Sequence, residues 1–296
     1  MPPTSLARPG DLVGFWGSPS STINWCETNY EVTFYIAEFW NTITNLGMII
    51  PAIYGLIQCK RQGIESRYTY NFLTLLFIGI GSWMYHMTLN YEMQLLDELP
   101  MLYGASYVVY CLYTAKNDNK KEQQEGTMQR GSVLAILLIL NCIIVTIVYL
   151  KIRDPIFFQA MFATIVSIGY IISLHYNYYQ YSNLGLKLLL MVFGSTMIAF
   201  GLWNIDTSFC EKLTNIRERT LRPSPILKFL SPLTQLHGWW HIIGGYGFYL
   251  QLYACVQQRL LFLKIDHDSD EKFGGFIKKI DIRQTNLHRI YEKKKT

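Results

Sequence analysis

The apolar positions of this chain fall in long blocks, not in the short stripes of a soluble domain. About 20 mostly apolar residues are needed to cross a bilayer as a helix. By that measure seven blocks qualify: Phe34–Ile57, Tyr70–Leu89, Met93–Tyr113, Ser132–Leu150, Pro155–Leu174, Gly185–Ile205 and Leu233–Val256. Polar stretches such as "QCKRQGIESRY", "TAKNDNKKEQQEGTMQRG" and "DTSFCEKLTNIRERTLRPSPILKFLSP" separate them. Two separators, "NYE" and "KIRD", are only a few residues long, so blocks two and three, and four and five, are expected to lie side by side and antiparallel. The pattern predicts an all-α integral membrane protein, a seven-transmembrane-helix bundle at 34–257. An N-terminal segment (1–33) precedes it, and a basic tail (258–296), expected to be flexible, follows.

Composition agrees. Only 16 % of the residues are charged, against about 25 % in ordinary soluble domains. The net charge of +5 comes mostly from the tail, so it gives no reason to expect a nucleic acid partner. The N-terminal stretch lacks the apolar core of a cleavable signal peptide, and the first block is expected to act as its own signal. Lys and Arg near the block ends, with the basic tail, favour an outer N-terminus and a cytosolic C-terminus. The last residues, "KKKT", place Lys293 and Lys294 where a dilysine retrieval signal for the endoplasmic reticulum would be read by coat proteins. The alternative is a solvated tail.

Alternation of seven spans brings the end of block two to the same side as the starts of blocks three and seven. His86, Asp97, His237 and His241 then lie at one depth. His237 and His241 stand at i and i+4, one face of a helix and about 6 Å apart along its axis. Two such imidazoles with a third, His86, suit a catalytic zinc ion, which keeps three protein ligands and an open position. The plainer alternative is interfacial histidines bonded to backbone or headgroups. Ser82, one turn before His86, could donate to a carbonyl oxygen gaining charge or bond back to its own helix. A carboxylate in a span, such as Asp97, is costly and usually functional. Glu92 and Glu98 read as turn or interface residues. In "STINWCETNYEVTFYIAEFWN", Asn24, Glu27, Asn29, Glu31 and Glu38 offer oxygen donors suited to Ca²⁺. The same segment also reads as a capping loop with Trp25 and Trp40 anchored among headgroups. Parity puts Cys26 and Cys210 on the outer side, where an oxidising compartment would let them pair. The other cysteines read as small buried residues. A receptor or a transporter could use the same polar residues, but a transporter needs a polar path inward, and the inner halves of the blocks read as largely apolar.

Four stretches, "WCETNYEVTFYIAEFWNTITNLGMIIP", "GSWMYHMTLNYEMQLLDELPM", "LWNIDTSFCE" and "QLHGWWHIIGGYG", closely resemble the alkaline ceramidases, most nearly the alkaline ceramidase 3 group, from about Gly14 to Leu260. The resemblance implies a seven-helix intramembrane amidase of the endoplasmic reticulum or Golgi. Its substrate would be ceramide drawn from the membrane lipids, cleaved to a sphingoid base and a free fatty acid. It implies Zn²⁺ on His86, His237 and His241, a site completed by Ser82 and Asp97, and a Cys26–Cys210 disulfide. It also implies Ca²⁺ on Asn24, the Trp25 carbonyl, Glu27, Asn29 and Glu38. Family members usually carry Asp where this chain has Asn24, so weaker calcium binding is expected.

Overall fold

The computed structural model describes residues 12–116, 125–180, 183–224 and 226–262; "KKKT" and nearly all of the basic tail lie outside them. Among the described residues the architecture is helical, with no β-sheet. Ten α-helices follow in order: α1 (Phe39–Thr44), α2 (Leu46–Gln62), α3 (Ser66–Thr88), α4 (Tyr91–Tyr113), α5 (Glu125–Ile152), α6 (Pro155–Gln180), α7 (Asn183–Ser208), α8 (Cys210–Ile216), α9 (Leu236–Trp239) and α10 (Gly245–Phe262). Two π-helical turns, Arg217–Leu221 and Trp240–Gly244, continue α8 and join α9 to α10.

Among the described residues, four stretches are long and apolar enough to cross a membrane: Phe39–Gln62, Gly131–Ile152, Pro155–Tyr176 and Gly185–Ser208. Their apolar residues largely face outward. Ile136, Leu140, Ile143 and Ile147 of α5, for example, are all exposed, as a lipid-facing helix requires and a soluble one avoids. Inside, Ala52, Phe72, Leu75, Val192, Tyr249 and Leu252 join α2, α3, α7 and α10 in one core. Leu102, Val109, Val145, Phe158 and Ile165 join α4, α5 and α6 in a second.

The tightest helix pair is α3 with α4. Leu89 closes α3 in the left-handed region at φ 51, its N–H bonded to the Tyr85 carbonyl at 2.7 Å, and α4 starts two residues later. At Gly81 the helices touch backbone to backbone. A Cβ there would stand 2.1 Å from the Leu96 carbonyl oxygen, so only glycine permits the approach. The Leu89 carbonyl also accepts the N–H groups of Ser20 and Ser21 at 3.1 and 3.0 Å, which docks the N-terminal segment on this turn.

Several expectations are corrected. The first span begins at Phe39, not Phe34, because the preceding backbone bonds elsewhere: the Ala37 and Glu38 N–H groups donate to the Met87 and His86 carbonyls at 2.9 and 3.0 Å. The sixth separator is substantially helical, and its Arg217 is wholly buried. Trp25 is buried, not anchored among headgroups. Glu98 is buried too: Tyr149 donates to it at 2.5 Å and Gln94 at 3.1 Å. Glu92 is exposed. The helix runs past Val256 to Phe262, and Arg259 is buried in it, bonded to Glu65 and the Ala115 carbonyl, each at 2.8 Å. The bundle end away from the N-terminal segment is not apolar throughout, since Tyr68, Asn71, Tyr249 and Gln258 are buried there. Of the free cysteines, Cys59, Cys111 and Cys255 are buried as expected, and Cys142 is half-buried.

A disulfide joins Cys26 to Cys210 across 184 residues. Such a bond acts mainly by restricting the unfolded chain, typically by about 2–5 kcal/mol. The Cys26→Ser/Cys210→Ser protein is expected to melt several degrees lower in detergent, an unchanged melting temperature being the contrary result.

Candidate metal centre and active site

The ligating atoms of His86, His237 and His241 all lie within 4.8 Å of one another, and all three side chains are buried. His86 comes from the last turn of α3, His237 from α9, and His241 from the π turn that follows. The sequence spacing alone suggested a regular helix for the second and third. The π turn re-aims His241, a distortion often found at functional sites.

A short helix that the hydropathy pattern concealed orients two of these rings. Glu38, immediately before α1, takes the Nδ1 of His86 at 2.6 Å. A carboxylate only accepts, so Nδ1 carries the proton and Nε2 keeps its lone pair. Thr44, the last residue of α1, meets Nδ1 of His241 at 3.0 Å. Its hydroxyl donates to the Trp40 and Asn41 carbonyls at 2.8 and 3.0 Å, so it accepts from the imidazole and fixes the same tautomer. His237 has no hydrogen bond at Nδ1 among the described residues. Its ring stacks on Trp25, centroids 3.7 Å apart and planes 13° apart. The ligating atoms of three imidazoles thus gather at one place, with Nε2 of His86 and of His241 left as the lone-pair atom, the donor chemistry a borderline metal ion prefers.

Ser82 sits one turn before His86 and is buried. Its hydroxyl stands beside the Asp97 carboxylate of α4, across the contact that Gly81 allows. The structure therefore brings Ser82, Asp97 and the histidines to one level of the bundle.

The N-terminal segment packs against the same place. Asn24, Trp25, Glu27, Asn29 and Glu38 are all buried. Glu27 caps α1, one oxygen accepting the Trp40 N–H at 2.7 Å and the other the Asn41 N–H at 2.9 Å. Glu38 accepts the Trp25 N–H at 3.1 Å and the Asn41 side chain at 3.2 Å. Burial, together with the nearby Glu38 charge, pushes the Glu27 carboxyl up to about 8. Two buried carboxylates so close favour a cation between or beside them. Glu31 lies apart, paired with Arg222.

Besides Thr44, two more residues near the site are not among the candidates the sequence offers. Asp206, inside "LWNID", accepts the Cys26 N–H at 3.1 Å and the His237 N–H at 3.3 Å, and so fixes the start of α9 to the N-terminal segment. Arg217 donates to the Cys26 carbonyl at 2.9 Å. A buried ionisable residue in a recognisable motif was the available signal for Asp206. Nothing in its neighbourhood singled out Arg217.

Below the histidines lies a cavity with a predominantly apolar lining, the character of a small-molecule pocket. Its upper rim includes Ile78, Met101, Trp240 and Gly244. Ile78 is one turn from Ser82, Met101 one turn from Asp97, and Trp240 adjoins His241. The cavity therefore continues the faces that carry the polar site.

An all-helical protein with helices able to cross a membrane, a buried three-histidine centre and an apolar cavity beneath it is the class that fold and site define. The ceramidase family model matches residues 17–276. The chain is 42 % identical over 264 residues to alkaline ceramidase 3 of Mus musculus, covering 88 % of this chain and 91 % of the relative. It is 31 % identical over 261 residues to alkaline ceramidase YPC1 of Saccharomyces cerevisiae, covering 85 % and 81 %. The chain belongs to the ceramidase family and is accordingly a hydrolase of that type.

Proposed function

We propose that this chain is a zinc-dependent intramembrane amidase that cleaves the N-acyl bond of ceramides, giving a sphingoid base and a free fatty acid. The observation that carries the reading is the convergence of three buried imidazoles and the Ser82–Asp97 pair at the head of an apolar cavity. A ceramide offers the matching shape, an amide at the junction of polar headgroup and alkyl chains. Seven spans are counted by taking α1 with α2 as the first and α9 with α10 as the last, around α3 to α7. The N-terminus then faces the lumen of the endoplasmic reticulum or Golgi and the C-terminus the cytosol.

His86, His237 and His241 would hold the zinc ion. Bound there, zinc supplies a Lewis acid for the amide carbonyl and for water. The rest falls to the chain's own residues. Asp97 takes a proton from the attacking water and later returns it to the departing amine nitrogen. In the resting arrangement Ser82 donates to Asp97. Once Asp97 is protonated it can donate to Ser82 instead, which frees the serine hydrogen for the carbonyl oxygen as charge builds there. The two side chains thus act as one unit.

Asn24, the Trp25 carbonyl, Glu27, Asn29 and Glu38 would hold a calcium ion. The donors are all oxygens, as a hard cation requires. Asn24 contributes no charge, so binding is weaker than a third carboxylate would give. Calcium on Glu38 would act on the centre through His86, steadying a ligand without joining the chemistry.

The deciding experiment incubates purified protein with ceramide labelled in its acyl chain and measures zinc in the same sample. Labelled fatty acid, lost on zinc chelation and restored by zinc, is the expected result. Metal-free protein of equal activity, or zinc-loaded protein that releases no fatty acid, would overturn the reading.

A further inference from the structure

Leu75, Val108, Ile165 and Val192 line the cavity with apolar side chains, but its lining also includes two amides, Asn71 of α3 and Gln251 of α10. Counted along their helices, both lie well away from the histidines. Both amide atoms of Asn71, and Oε1 of Gln251, are buried without a hydrogen-bond partner among the described residues. Gln251 uses its Nε2 on Ser173 at 3.3 Å. The Cys111 thiol, a weak hydrogen-bonding group, stands near Asn71. The hydroxyls of Tyr68 and Tyr249, in the same half of the bundle, are likewise buried and unpartnered. Unmet buried polar groups are disfavoured, and an alkyl chain pressed against them cannot relieve them. Along α3, Asn71 lies 11 residues from Ser82, an axial distance of roughly 16 Å at 1.5 Å per residue. That depth takes roughly a dozen carbons of extended chain, each C–C bond of about 1.5 Å advancing somewhat less along the axis.

We propose that Asn71 and Gln251 form a polar floor that limits the length of the alkyl chain the enzyme accepts. The inference rests on the reading that this cavity receives one of the two chains of a ceramide. Carbons added above the floor gain contact with apolar walls. Carbons that would reach it gain nothing and seal the Asn71 amide from any partner. Acceptance therefore rises with chain length and then breaks, instead of levelling off.

The test uses zinc-loaded protein in phosphatidylcholine vesicles and two series of ceramides, one stepping the acyl length at fixed sphingoid base, the other the reverse. In one series kcat/KM is expected to climb and then fall about tenfold within a few carbons, since single methylenes discriminate on that scale in a fitted pocket. Asn71→Ala and Gln251→Ala should move the break to longer chains, and Val108→Phe, which narrows the same depth, to shorter ones. Each variant is first matched to the parent in melting temperature and zinc content. Variants in opposite directions keep the test open should one fail to fold. A break that stays in place in every folded variant, or no break in either series, overturns the floor. If the parent protein cleaves no ceramide at all, the proposed function fails instead, and the two failures are distinct.

Discussion

Asp97→Asn is expected to lower ceramide hydrolysis by roughly 10²–10⁴-fold, the range for removing a general acid–base group, with zinc content unchanged. Asparagine keeps the size of the side chain and can still bond Ser82, but it cannot take a proton from water. Because the proposed mechanism couples the Ser82 hydroxyl to its neighbour Asp97, the two losses should not add. Ser82→Ala alone should cost on the order of 10²–10³, and the double variant little more than Asp97→Asn, as in other catalytic units. His237→Ala differs in kind, since it removes a proposed ligand and should lose activity and zinc together. Assays of initial rate beside metal content separate the two patterns. A wild-type rate in Asp97→Asn would sink the assignment.

Glu38→Gln is expected to weaken zinc binding by about 10–100-fold, the usual cost of losing a carboxylate behind a histidine ligand. Glu38 holds the His86 Nδ1 at 2.6 Å, the Trp25 N–H at 3.1 Å and the Asn41 amide at 3.2 Å. Glutamine keeps one acceptor oxygen and replaces the other with a donor, so these partners can no longer all be met. The same change removes one of the two carboxylates proposed for calcium. Competition with a chelator should show the lower zinc affinity, and any rise of activity with added calcium should vanish. Wild-type zinc affinity together with a normal calcium response would remove Glu38 from both roles.

Much of this centre was readable from the chain. Long apolar blocks announce helices, and alternation of direction alone brings His86, Asp97, His237 and His241 to one level. The spacing of His237 and His241 signalled a shared face. It could not signal the π turn between Trp240 and Gly244, because an extra residue in a helical turn leaves no mark on hydrophobic periodicity. Helix α1 was hidden for a related reason. Its six residues sit inside an apolar run, where a rule based on span length merges them with α2. Donor spacing and the family resemblance mark Glu38 as a calcium donor, but its bond to His86 depends on α3 ending beside it, a tertiary fact. The sixth separator looked like a loop because short helices that bury one arginine carry neither a span's length nor a clear stripe.

Cys26 and Trp25 near the start of the chain meet Asp206, Cys210 and His237 far along it, the disulfide alone bridging 184 residues. During synthesis, then, the first helices enter the membrane with the N-terminal segment still lacking its partners. The disulfide cannot form until Cys210, at the start of α8, has left the ribosome, and the histidine cluster cannot form until α9 and the π turn after it have followed. A chain stopped before His237 would therefore lack two of the three clustered histidines.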